Sequence, residues 1–346
     1  MIVLGSTGSI GINTLLIAQR FHLNIDVLVV GYNIDLLNNQ IKMHKPSIVV
    51  IADKKDQHKV DHNNIYIGQN GILRAIEESS STLVVNALVG LSGLKPTLKT
   101  LELNKKLALA NKESLVVAGA FIDSSKITPI DSEHFGLWYL YQNRNIEQMQ
   151  ITASGGAFRD WSLQKIQTAT LKDALKHPNW DMGTKITIDS ASMTNKLFEL
   201  LEAKWLFPNV KKFDAFIETK SIIHALIDYQ DGSTTAHFAN ANMQLPIAYA
   251  ILDKVEEPIL ERVDFLKIKT LEFKEITSDR YPIWELKNTL LKNPSLGTVL
   301  NSANEESIKL FIKEKIGFLD ISYFNIKAIQ KFQNQLPTSF EDIFSL

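Results

Sequence analysis

The feature that most restricts this chain is a set of short, continuous apolar runs rich in Val, Ile and Leu. They stand at Ile2-Val3-Leu4, Asp26-Val27-Leu28-Val29-Val30, Ser47-Ile48-Val49-Val50-Ile51, Leu83-Val84-Val85 and Leu107-Ala108-Leu109-Ala110, with amphipathic stretches between them. A strand with one wet face alternates polar and apolar residues, whereas a strand that is apolar throughout needs cover on both faces. Runs of the second kind alternating with helices specify a parallel sheet sandwiched by helices, here a doubly wound α/β domain over residues 1–130.

Beyond that point the pattern changes. Longer polar loops separate a strand-like run at Met149-Gln150-Ile151-Thr152, a helix predicted over 190–205, and further strand-like runs at 215–217, 222–227 and 234–238. The turn Gln230-Asp231-Gly232-Ser233 makes the last two a hairpin. An α+β domain over 131–252 is expected, then a charged linker at 253–280 and a small α-helical C-terminal domain at 281–346, where the period is helical.

Composition narrows the chemistry. A chain of 346 residues suits two or three domains. Its net charge of -1 provides no general field for nucleic acid or an anionic membrane. With no cysteine, disulfides, thiolate metal sites and thiol nucleophiles are all excluded, so any metal would be held by oxygen or imidazole. No apolar stretch is long enough to span a bilayer and the N-terminus lacks signal-peptide order, so a cytoplasmic protein is expected.

Directly after the first apolar run comes Gly5-Ser6-Thr7-Gly8-Ser9-Ile10-Gly11, followed by a helical stretch from Asn13 to Arg20. Glycines allow a tight turn and close approach of a pyrophosphate, and a helix N-terminus offers unpaired N–H donors. The spacing is G-x-x-G-x-x-G rather than G-x-G-x-x-G, so a glycine-rich turn that binds nothing is the competing reading.

Carboxylates supply the second theme. Asp131 and Glu133 follow Pro129-Ile130 on what reads as an extended segment or turn, and Glu199 and Glu202 lie on the helix of the second domain. Such acids suit Mg²⁺ or Mn²⁺, or else form a solvated surface. On that helix Asn195, Lys196 and Glu199 share a face near Ser190, offering donors for a phosphate and an acid for a metal. An ordinary Lys–Glu surface pair is the plainer alternative. The segment His177-Pro178-Asn179-Trp180-Asp181-Met182-Gly183 is a loop whose Trp and Met either form a lid or fold onto the core.

Taken together, Gly5 through Gly11, Ala110-Asn111-Lys112-Glu113-Ser114-Leu115-Val116, Asp131-Ser132-Glu133-His134, Ser154-Gly155-Gly156-Ala157-Phe158-Arg159, His177-Pro178-Asn179-Trp180 and the run from Asp189-Ser190-Ala191 to Asn195-Lys196 resemble the 1-deoxy-D-xylulose 5-phosphate reductoisomerase family. The helical tail, with Asn301-Ser302-Ala303-Asn304-Glu305, is also similar, though shorter at its end. The resemblance implies a homodimeric enzyme of isoprenoid precursor synthesis by the methylerythritol phosphate route. It would rearrange 1-deoxy-D-xylulose 5-phosphate, a small phosphorylated sugar, and reduce the product with NADPH, using Mg²⁺ or Mn²⁺. The first domain would bind NADPH; the second would serve catalysis and dimerisation.

By matching position, Asp131, Glu133 and Glu199 would hold the metal. Ser154, Ser190, Asn195 and Lys196 would hold the substrate phosphate. Lys112, Ser132, Glu133 and Glu202 would contact the rest of the substrate, and His177 and Trp180 would close over it. Lys112, Glu133, His177 and Trp180 are the implied catalytic set. The implied cofactor contacts are Ser6, Thr7, Gly8, Ser9, Ile10, Gly31, Asn33, Asn111, Glu113 and Gly183.

The chain departs from the family's pattern in three places: Leu197 stands where glycine is usual, Glu218-Thr219-Lys220-Ser221 replaces His-Pro-Gln-Ser, and Tyr32 stands where a basic residue is common. From sequence, a nucleotide-dependent oxidoreductase of the homoserine or semialdehyde dehydrogenase kind, or a catalytically silent nucleotide-binding protein, are the rival readings.

Overall fold

The computed structural model describes residues 1–142, 144–180 and 182–345. They form two compact units, one built from residues 1–114, 123–131 and 242–260, the other from 115–122, 132–241 and the chain from Glu261 on.

The first unit holds β1 (Ile2–Leu4), β2 (Val27–Val29), β3 (Ile48–Ile51), β4 (Ile65–Ile67), β5 (Leu83–Asn86), β6 (Lys106–Leu109) and β7 (Ile127–Pro129). These make a seven-stranded sheet ordered β4-β3-β2-β1-β5-β6-β7, parallel throughout. The doubly wound expectation therefore holds, with the strand order reversing between β1 and β5, where such sheets bind ligands beyond the strand ends. The connecting helices are α1 (Ser9–Arg20), α2 (Ile34–His44), α3 (Gly68–Glu78) and α4 (Leu94–Glu102), and α5 (Lys112–Ala118) follows β6.

Apolar clusters hold this unit together. One joins Val3, Leu28, Val49 and Ile51 of the sheet to Leu15, Ala18, Leu37 and Ile41 of α1 and α2. Another joins Ile17, Val85, Ala108 and Ile130 to Ile247, Ala248 and Ile251 of the helix Gln244–Ile251. Each Val, Leu or Ile among them contributes roughly 1.5–3 kcal/mol on full burial. That explains a difference from the sequence segmentation, which groups 242–252 with the second domain: the apolar face of this helix is buried in the first unit. Strands β4 and β7 also escape the sequence reading. They are edge strands of three residues, and β7 carries Pro129, which an edge tolerates because it has no N–H to donate.

The second unit has a mixed sheet ordered β11-β10-β8-β9-β12, from β8 (Ile146–Ala153), β9 (Phe213–Glu218), β10 (Ile223–Tyr229), β11 (Thr234–Phe238) and β12 (Phe273–Lys274). The β10–β11 pair is the expected hairpin, with Gly232 at φ +86° in its turn. β12 pairs with β9, so the expected linker at 253–280 contributes to the sheet. Helix α6 (Ser132–Leu140) packs on β10, where a Cβ at Gly136 would come within 2.8 Å of the Ala225 Cβ.

The helix predicted over 190–205 is in fact two, α7 (Thr184–Ser192) and α8 (Thr194–Leu206). The break is Met193, buried and left-handed at φ 70°, between Ser192 and Thr194, whose hydroxyls bond each other at 2.8 Å. Ser and Thr side chains compete in this way with the helical ladder. The C-terminal helices α9 (Gly297–Ile312) and α10 (Phe318–Phe332) match the expected helical segments. Ile308, Phe311, Phe318 and Ile321 from them bury against Phe158 and Ile188.

Candidate active site

In the first unit the chain leaves β1 through Gly5 at φ +85°, where a Cβ would lie 2.6 Å from the Ala87 carbonyl oxygen. At Gly11 a Cβ would lie 2.2 Å from the Gly5 carbonyl oxygen, so α1 can start this close to the turn only without a side chain there. Gly8 is different: its nearest neighbour would be 3.5 Å away. No side chain caps α1, so the N–H groups of Ser9, Ile10 and Gly11 in its first turn have no helical acceptor. Ser6, predicted as a cofactor contact, is fully buried. Its hydroxyl donates to Gln40 Oε1 at 2.8 Å, and Gln40 Nε2 donates back to the Ser6 carbonyl at 2.8 Å, fastening the turn to α2. Thr7, Gly8, Ser9 and Ile10 are partly or fully exposed, as are Gly31 and Asn33 after β2. Asn33 Oδ1 accepts the Leu36 N–H at 3.2 Å and caps α2.

Asn111 and Glu113, also predicted as cofactor contacts, are buried in a structural network. Asn111 Nδ2 donates to the carbonyls of Leu88 at 2.8 Å and Gly90 at 2.9 Å, and to Glu113 Oε2 at 3.1 Å. Between them Lys112 begins α5, and its Nζ donates to Asp131 Oδ2 at 2.7 Å, with both side chains largely buried.

A charge cluster begins where α6 starts. Asp131 and Glu133 are not on one extended segment: α6 starts at Ser132, which puts Glu133 in the first helical turn, where the helix dipole favours an acid. Ser132 Oγ donates to Glu133 Oε2 at 2.6 Å, and Lys196 Nζ donates to Glu133 Oε1 at 2.7 Å. The same ammonium pairs with Glu199 and donates to the Thr152 carbonyl, while Asn195 Nδ2 donates to Glu199. Carboxylate oxygens of Glu133 and Glu199 lie within 4.8 Å of each other. Burial disfavours charge on Lys196, but the fields and hydrogen bonds of Glu133 and Glu199 outweigh it and hold its pKa above the ordinary lysine value. Lys196 and Asn195, predicted to hold phosphate, thus spend donors on the carboxylates.

Beneath this cluster lies a residue for which the sequence offered only a place in the Asp-Ser-Glu-His string. His134 is fully buried, and its Nε2 lies 2.8 Å from the Glu199 carbonyl oxygen. A carbonyl can only accept, so Nε2 carries the proton, and Nδ1 faces Glu202 at 3.3 Å.

A second cluster gathers around Ser154. Its Oγ is 2.8 Å from His177 Nε2, while His177 Nδ1 accepts the N–H groups of Asn179 at 3.2 Å and Trp180 at 2.9 Å. The imidazole is therefore neutral and protonated at Nε2, which donates to Ser154. Burial, with the nearby Arg159 charge, lowers its pKa to about 4. Gly156, at φ +65°, brings this loop against α7: a Cβ there would lie 2.6 Å from the Ser190 carbonyl oxygen. Sequence reasoning missed Arg159 as an organiser. Its Nη1 donates to the carbonyls of Ser154 and Thr219, both at 2.9 Å, bridging this loop to the one after β9.

Of the predicted lid, Trp180 is half-buried with its ring edge toward His224 at 6.3 Å, and Gly183 is exposed with open space at its Cβ position. Asp181 of that loop lies outside the described residues. No helix among the described residues is long and apolar enough to cross a membrane.

Known proteins are similar to this chain in sequence and fold. The family description "1-deoxy-D-xylulose 5-phosphate reductoisomerase" matches residues 1–119. Its C-terminal domain description matches 127–207, and that of the "DXP reductoisomerase C-terminal domain" matches 238–346. A protein of Nautilia profundicola bearing the first name is 58% identical over 100% of this chain and 96% of its own. One of Campylobacter lari with the same name is 52% identical over 99% and 96%. Among solved structures, a DOX-P reductoisomerase in complex with NADPH, fosmidomycin and magnesium superposes with a TM-score of 0.92 at 30% identity, covering 99% of this chain and 94% of its own. The Zymomonas mobilis 1-deoxy-D-xylulose 5-phosphate reductoisomerase in complex with NADPH gives 0.89 at 32% identity, with the same coverage.

Proposed function

The chain belongs to the 1-deoxy-D-xylulose 5-phosphate reductoisomerase family, and on that premise we propose that it converts 1-deoxy-D-xylulose 5-phosphate to 2-C-methyl-D-erythritol 4-phosphate with NADPH and Mg²⁺ or Mn²⁺. The observation that carries this reading is the pair Glu133–Glu199, the second carboxylate buried and the first partly so, sharing one ammonium. Their carboxylate oxygens converge within 4.8 Å, an all-oxygen donor set that suits a hard divalent cation. Asp131, joined to Glu133 through Ser132, is the third proposed ligand, so the donor set fits the metal. When bound, such a cation polarises the substrate's carbonyl and stabilises oxyanions formed during carbon–carbon rearrangement.

The chain's own groups then take these parts. Lys112 and Glu202 contact the substrate's reacting end and hydroxyls. Ser154, Ser190, Asn195 and Lys196 orient the phosphate. His177, neutral and bonded to Ser154, closes with Trp180 over the substrate and excludes water. The turn after β1 and the loop after β2 hold NADPH, with Asn111, Glu113 and Gly183 as further cofactor contacts. The second unit serves catalysis and dimerisation, and the protein acts as a cytoplasmic homodimer. A homoserine or semialdehyde dehydrogenase would have no use for this carboxylate set.

Purified protein mixed with 1-deoxy-D-xylulose 5-phosphate, NADPH and Mn²⁺ should consume nicotinamide absorbance and yield 2-C-methyl-D-erythritol 4-phosphate by mass spectrometry. Unchanged absorbance with metal present would refute the reading.

A further inference from the structure

In a doubly wound domain the adenosine ribose is read at the end of β2, and a 2′-phosphate there is matched by a cation. Here β2 and the buried Val30 are followed by Gly31, Tyr32 and Asn33, all exposed and none cationic. The adjacent strand supplies the charge instead. β3 pairs in register with β2, Val29 opposite Val50, and the pairing runs on past both strand ends: the Val30 N–H donates to the Val50 carbonyl at 2.9 Å and the Ala52 N–H to the Gly31 carbonyl at 3.4 Å. That register sets Asp53-Lys54-Lys55 beside Tyr32. Asp53 holds Lys55 at two points, its Oδ1 accepting the Lys55 N–H at 3.0 Å and its Oδ2 lying 2.9 Å from Nζ. Hydrogen bonding and charge from Asp53, with smaller contributions from Asp56 and Tyr32, keep Lys55 above the ordinary lysine pKa, so it is fully charged.

We propose that Lys55 selects NADPH over NADH, its ammonium taking the 2′-phosphate with the Tyr32 hydroxyl and the Asn33 amide as neutral donors beside it. The pairing with Asp53 is solvent-exposed, 70% and 43% for the two side chains, so it is weak and a phosphate dianion can compete for the ammonium. The inference rests on the reading that this chain binds NADPH.

The test is calorimetric titration of the protein, without substrate or metal, with 2′,5′-ADP and with 5′-AMP, which differ only at the 2′ position. Wild type should bind 2′,5′-ADP more tightly. Lys55→Ala should weaken 2′,5′-ADP about tenfold, the scale of one lost charged hydrogen bond, and leave 5′-AMP unchanged. Lys55→Arg should restore the difference, and Lys59→Ala, whose ammonium pairs with Asp56 at 2.7 Å, should alter neither. The ratio of kcat/KM for NADPH to that for NADH should fall in parallel in Lys55→Ala. Equal weakening of both nucleotides, or of neither, would overturn the role of Lys55 while leaving the proposed function standing. A wild type that prefers NADH would overturn this inference together with the cofactor part of that function.

Discussion

At the glycine turn of the first unit the polar elements are backbone groups: Gly5 to Gly11 offers N–H donors and needs the absence of side chains. In the second unit they are side chains, and Glu133 and Lys196 meet at 2.7 Å from positions 63 residues apart. A backbone-built feature is written in a few adjacent residues, tolerates most side-chain changes and fails only where a Cβ has no room. A charge cluster assembled by the tertiary fold is legible only in part from sequence, and each member's loss leaves another buried charge uncompensated.

The largest expected effect follows from that contrast. Glu199→Gln keeps the size of a side chain buried in α8 but removes a proposed metal ligand. Turnover should fall by at least about 100-fold while circular dichroism stays native. A variant with wild-type turnover would break the comparison.

Lys196→Ala should cost about 3–5 kcal/mol in denaturant unfolding without metal, because Glu133 and Glu199 then lose the ammonium they share. Added Mg²⁺ should recover much of that loss, and more than it stabilises wild type.

A smaller effect is expected at the turn. Gly11→Ala places a Cβ 2.2 Å from the Gly5 carbonyl and should cost about 1–3 kcal/mol and weaken NADPH binding. Gly8→Ala, with 3.5 Å of clearance, should be nearly silent in the same assays.

The smallest effect is titration of His177. Its folded pKa of about 4 lies below the unfolded value of about 6.5, so on acidification the unfolded chain takes up the proton first. Its contribution to stability is complete above about pH 6.5 and is lost as pH falls through about 4. The difference in Tm between wild type and His177→Gln should shrink over that window.

The parallel sheet was legible because its central strands are apolar at every position, as at Ile48–Ile51, and no other environment buries such runs on both faces. Edge strands β4 and β7 gave too short a signal. The break at Met193 was invisible because helical period continues across it, and only the burial of Met193 and the Ser192–Thr194 contact reveal it. The carboxylates and the Asn195-Lys196 pair stood out as residue types, yet Lys196 as counter-charge to Glu133, His134 beneath Glu199 and the bridging role of Arg159 are products of tertiary contact, which spacing does not encode.

The central claim, that a divalent cation belongs among Glu133, Glu199 and Asp131, is tested most directly by titrating Mn²⁺ into wild type and into Glu133→Gln and following the free ion by electron paramagnetic resonance. Wild type should bind one Mn²⁺ per chain and Glu133→Gln should weaken it by at least about tenfold. Equal Mn²⁺ affinity in the two proteins would contradict the account.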